Sequence, residues 1–117
     1  MSEVKDMINI IEDKSNGITA HLEILRTLEE QKEGIDSEIK KAKDKLKNET
    51  ITKFTYAKMQ ELNLKNLEEN TNERKRIWNE IAENVNGISD KLTTLKNLYN
   101  TKSEVEGTPK IIENSEN

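Results

Sequence analysis

Residues Ala57 to Lys102 read AKMQELNLKNLEENTNERKRIWNEIAENVNGISDKLTTLKNLYNTK. Alternate steps of three and four pick out Ala57, Gln60, Leu64, Leu67, Thr71, Arg74, Trp78, Ile81, Val85, Ile88, Leu92, Leu95, Tyr99 and Lys102, most of them apolar. A seven-residue repeat held this long predicts a helix that packs along a seam against other helices. It commits most of the apolar residues of this half to helix–helix contact.

The first half carries a second seam. Val4, Ile8, Ile11, Ser15, Ile18, Leu22 and Leu25 keep the spacing, a step of three leads to Leu28, and Lys32, Ile35, Ile39, Ala42 and Leu46 resume it. One such discontinuity overwinds a seam locally without ending a helix. Between the seams, Asn48-Glu49-Thr50-Ile51-Thr52 is the turn candidate. Thr52 can cap the next helix, and Ile51 and Tyr56 have the spacing of a hydrophobic staple. The expectation is an all-α chain. It is a long antiparallel helical hairpin, or coiled coil, that forms part of an oligomeric helical bundle. Helix one covers about 3–47, the turn 48–52 and helix two about 53–103, within a single 1–103 domain followed by a disordered tail at 104–117. The tail contains Gly107, Pro109 and the apolar pair Ile111-Ile112.

Glycines offer a competing reading. Gly17-Ile18-Thr19, Gly34-Ile35-Asp36 and Gly87-Ile88-Ser89 each resemble a helix stop followed by a new cap, which would make a compact bundle of four or five helices. The heptad phase runs unbroken through Gly17 and Gly87. The staple positions after the three caps are Glu23, Lys40 and Thr93, none of them apolar. Continuous helices are the better fit.

Composition agrees with a narrow helical build. Only 32% of the 117 residues are hydrophobic, whereas 36% are charged, too few apolar groups for a core of ordinary width. The chain has no cysteine, which removes disulfides, thiolate metal sites and cysteine nucleophiles. Its polar, acidic start lacks a signal-peptide core, and no apolar run approaches the ~20 residues of a membrane span. A cytoplasmic or nuclear location is therefore expected.

No motif for catalysis is legible. His21 is the only histidine, and no acid lies three or four residues from it. It reads as an isolated surface residue, and no metal site or cofactor is expected. A phosphate-cradling glycine loop, a zinc-protease helix motif and a nucleophile elbow are all missing from the sequence. A paired-carboxylate site needs a pocket and a thin hairpin is expected to offer none, so the chain is read as non-enzymatic, with no catalytic residues.

The candidate interface residues are Ile8, Ile11, Leu22, Leu25, Ile77, Trp78, Ile81, Val85, Ile88, Leu92, Leu95 and Leu98. Trp78 falls on the seam, where a tryptophan anchors a wide core layer; its other reading is an exposed contact point for a partner. Extra apolar residues flank the seam near the termini (Met7, Ile10, Ile24, Ile77, Ala82, Leu98), whereas Lys32, Gln60, Thr71 and Arg74 occupy it near the turn. More apolar surface, and hence further helices, is expected at the terminal end.

Charge is divided too. Residues 40–58 hold Lys40, Lys41, Lys43, Lys45, Lys47, Lys53 and Lys58 against Asp44 and Glu49, a net of +5 in a chain of net −4. This is a candidate basic docking tip, or simply a solubilising lysine face. The tip is expected to lack the aromatic platform that base stacking requires. Generically the chain resembles the small two-helix subunits of kinetochore, tethering and organelle-biogenesis complexes. Trp78, Ile81, Val85, Ile88 and Leu92 carry that likeness, which is one of periodicity and names no family. It implies a coiled-coil subunit or adaptor whose partners are other helical proteins or itself. Two other classes remain: a nucleic-acid or anionic-membrane binding module acting through the lysine tip, and a viral or phage helical accessory protein. Overall acidity weighs against nucleic acid, and a membrane would be met only peripherally.

Overall fold

A computed structural model describes residues 2–107, with side chains from 3 to 100. Two helices account for nearly all of it: α1, Ser2–Lys47, and α2, Lys53–Gly107. They form an all-helical hairpin, and no strand occurs among the described residues. The helices pass without interruption through Gly17, Gly34 and Gly87, none of which takes a positive φ. The stop-and-cap reading of the glycines is thus overturned. The unbroken apolar period outweighs a cost of ~1 kcal/mol for each glycine in a helix.

The turn is built from two complementary end motifs. Glu49 N–H donates to the Leu46 carbonyl (3.0 Å) and Thr50 N–H to the Lys45 carbonyl (2.8 Å), the paired bonds of a Schellman motif. Glu49 adopts the left-handed conformation (φ 59°) that this motif demands, usually of glycine. Lys45 and Lys47 lie in the last turn of α1, where the helix dipole favours positive charge. Thr52 then caps α2: its Oγ1 accepts from Thr55 N–H at 3.1 Å, and its carbonyl accepts from Tyr56 N–H at 2.9 Å. Ile51 and Tyr56, the expected staple pair, are both half-buried.

The chain divides into two units, each holding a segment of both helices. The turn unit is Thr19–Ile81. Its core contains Leu28, Ala42, Ile77 and Ile81, all buried, together with the buried amide of Asn70. The terminal unit pairs the described residues up to Ile18 with those from Ala82 onward. Here Val4, Met7, Ile11, Ile18, Ile88, Leu95 and Leu98 line the seam, but no described side chain reaches full burial. α2 extends to Gly107, so residues 104–107, expected to belong to a tail, are helical. Ser103-Glu-Val-Glu contains no helix breaker; Gly107 and Pro109 supply the first. The rest of the expected tail, including Ile111-Ile112, lies outside the described residues.

Candidate functional site

The seam of α2 is rotated from the one the heptad pattern suggests. Gln60, Leu67, Arg74, Ile81, Ile88 and Leu95 face the other helix as expected. Their neighbours in the seam are Tyr56, Asn63, Asn70, Ile77, Asn84, Lys91 and Leu98. In the remaining row of the pattern, Thr71 is half-buried and the residues at 57, 64, 78, 85, 92 and 99 are exposed. Leu64 is 58% exposed, Trp78 54%, Val85 49%, Leu92 51% and Tyr99 57%. Trp78 is therefore not an anchor of the hairpin core. Ile77, one residue earlier and fully buried, fills that place.

The twelve interface candidates separate accordingly. Ile77 and Ile81 are core residues of the hairpin itself. Ile11, Leu25, Ile88, Leu95 and Leu98 are half-buried in its seam. Ile8, Leu22, Trp78, Val85 and Leu92 face outward. In the terminal unit, Val85, Ile88 and Leu92 border a shallow open groove of about 400 Å³, with Ser89, Thr93 and Lys96 on its rim. Large exposed apolar side chains are not confined to the terminal end, since Phe54, Leu62 and Leu64 near the turn are also open. The units differ instead in burial: every fully buried side chain belongs to the turn unit.

Polar groups enter the seam where space or hydrogen bonds allow. Asn70 Nδ2 donates to the Leu28 carbonyl (2.9 Å), and Asn70 Oδ1 accepts from Arg74 Nε (2.8 Å). Arg74 continues the chain through Nη1 to Glu29 (3.4 Å) and Nη2 to Thr71 Oγ1 (3.1 Å). In the terminal unit Gly17 and Gly87 each face a polar side chain of the other helix. A Cβ at Gly17 would come within 3.0 Å of Asn84 Nδ2, and one at Gly87 within 2.8 Å of Lys14 Cε. Sequence reasoning missed Asn70, Asn84 and Lys91 as seam residues because it sought apolar positions.

His21 is not the isolated residue it appears to be in the sequence. Its Nε2 lies 3.3 Å from Glu80 Oε1, a partner 59 positions away that no local spacing could reveal. Glu80 also pairs with Arg76, which bonds Glu73. That hydrogen bond to Arg76 holds the Glu73 carboxyl below its usual range and raises Arg76. No cluster of three or more metal-ligating side chains occurs among the described residues. An open groove of about 630 Å³ does lie in the turn unit beside Gly34, contrary to the expectation that a hairpin offers none. Its walls are apolar groups, carboxamides and the carboxylates Glu38, Glu69 and Glu73, without histidine or hydroxyl.

At the tip, all seven lysines are exposed. Lys41 pairs with Glu38 (3.6 Å) and Lys58 with Glu61 (3.9 Å), both within a helix. Phe54 corrects the expectation of a tip without an aromatic platform: it is 73% exposed, and Lys58 Nζ stands 5.7 Å from its ring centroid. No helix is long and apolar enough to cross a membrane among the described residues. Compared with known proteins, the chain matches no family model, no curated sequence and no solved structure.

Proposed function

We propose that this chain is a non-enzymatic coiled-coil subunit or adaptor that assembles with other helices through the terminal unit, a second copy of the chain being the first partner to test. One observation carries the reading. In the terminal unit no described side chain is fully buried, while Ile8, Val85, Leu92 and Tyr99 stand open to solvent. Val85, Leu92 and Tyr99 recur at seven-residue intervals on α2, the period that lets another helix seat along them. Trp78, at the same interval in the turn unit, has the size and amphipathic ring that concentrate binding energy in interfaces.

Burying such a row recovers roughly 25 cal/mol per Å² of apolar surface, a gain the hairpin alone does not collect. The test is sedimentation equilibrium of the full chain beside Val85→Asp/Leu92→Asp, with helicity followed by circular dichroism. Wild type is expected to associate and the variant to remain a helical monomer, because a carboxylate buried in a seam is strongly unfavourable. A wild-type chain that stays monomeric at every concentration and takes up no helical partner overturns the reading.

A further inference from the structure

We propose that the hairpin tip docks on an anionic lipid surface, with Phe54 entering the headgroup region and the surrounding lysines held by the headgroups. This goes beyond the assembly reading and uses different residues. Phe54 sits at the second position of α2, 73% exposed. The seam at this level is filled by Ile39, Ala42, Leu46 and Tyr56, so the ring is not needed for packing. An exposed phenylalanine with Lys58 beside its ring, at a tip carrying seven exposed lysines, has the composition of an interfacial anchor: apolar burial plus attraction to anionic lipid.

Two features favour lipid over nucleic acid. Residues 40–58 contain lysine and no arginine. Lysines act as hydrated point charges suited to a diffuse layer of headgroups, whereas arginine forks suit fixed phosphate geometry. Strand binding also needs successive stacking platforms, and the tip exposes a single aromatic ring, Tyr56 being half-buried.

The experiment is cosedimentation of the full chain with vesicles of phosphatidylcholine, alone or with about one third phosphatidylserine. Binding is expected only to the anionic vesicles, and to fade as salt shortens the Debye length below ~8 Å. At roughly fivefold per lysine removed, Lys41→Gln/Lys43→Gln/Lys45→Gln should weaken partitioning about a hundredfold. Phe54→Ala should weaken it roughly tenfold with the charge unchanged. Phe54→Trp in a Trp78→Phe background should shift its emission to the blue on anionic vesicles. Should the triple variant lose helicity, the salt series and Phe54→Ala decide. No binding at low salt overturns the proposal, and so does binding indifferent to Phe54→Ala. Tighter binding to single-stranded DNA than to anionic vesicles reassigns the tip to nucleic acid.

Discussion

The side-chain amide of Asn70 on α2 donates to the main-chain carbonyl of Leu28 on α1, 2.9 Å away. Leu28 is the residue reached where the α1 pattern takes two steps of three in succession. The amide oxygen is satisfied in turn by Arg74 Nε. A slip of the helices past each other would leave the buried Nδ2 donor without its carbonyl acceptor, so the bond fixes register as buried polar seam residues do. Asn70→Ala is expected to lower stability by about 1–2 kcal/mol in urea melts. An unchanged midpoint would mean that register is set elsewhere.

Ile77 and Trp78 are sequence neighbours with opposite environments, 0% and 54% exposed. Ile77→Ala should cost about 2–4 kcal/mol at any protein concentration, because it opens a cavity in the hairpin core. Trp78→Ala should change the stability of the dilute chain by less than ~1 kcal/mol. Thermal melts of both variants over a range of concentrations check the contrast.

Glu49 holds a left-handed conformation in which a side chain costs roughly 1–2 kcal/mol. Glu49→Gly should therefore stabilise the hairpin by about 1 kcal/mol, the bonds to Leu46 and Lys45 being retained. Equilibrium unfolding of the variant decides it; a loss of stability would mean that the Glu49 side chain has an unrecognised role.

A Cβ at Gly34 would meet nothing within 4 Å. Gly34→Ala should raise stability by about 0.5–1 kcal/mol through helix propensity alone. At Gly87 the same change also displaces the Lys14 ammonium end, a flexible group, so its gain should be smaller. Thermal midpoints of the two variants, measured side by side, give the order.

Glu73 has its pKa lowered in the folded chain by the hydrogen bond from Arg76. A depressed carboxyl adds stability that is present above its unfolded value near 4.5 and is lost as pH falls through the lower folded value. Glu73→Gln should thus be slightly less stable than wild type at neutral pH and indistinguishable from it well below pH 4.5. The pair is open to solvent and lies within one helix, so the difference at neutral pH should be small and should shrink in salt.

The seven-residue period and the turn chemistry by themselves determined two helices, their junction at 48–52 and the Thr52 cap, because these depend on neighbours in the chain. The α1 seam was legible from Leu25 to Leu46, whereas nearer the start of the helix Met7, Lys14 and His21 are half-buried in place of the expected Ile8, Ser15 and Leu22. What only the tertiary structure decided was the rotation of α2. One neighbouring helix covers a stripe two rows wide, and the seven-residue period leaves open which two of three adjacent rows it covers. The row at 60, 67, 74, 81, 88 and 95 stayed inside, and that at 64, 78, 85, 92 and 99 was left out. In its place came Asn70, satisfied by Leu28 and Arg74, and Asn84, with Gly17 opposite. Such exchanges rest on partners 40 to 70 positions distant, so no periodicity along one helix can disclose them. The gathering of the lysines at one tip has the same origin, since closing the turn is what brings the end of α1, with Lys40–Lys47, beside the start of α2, with Lys53 and Lys58.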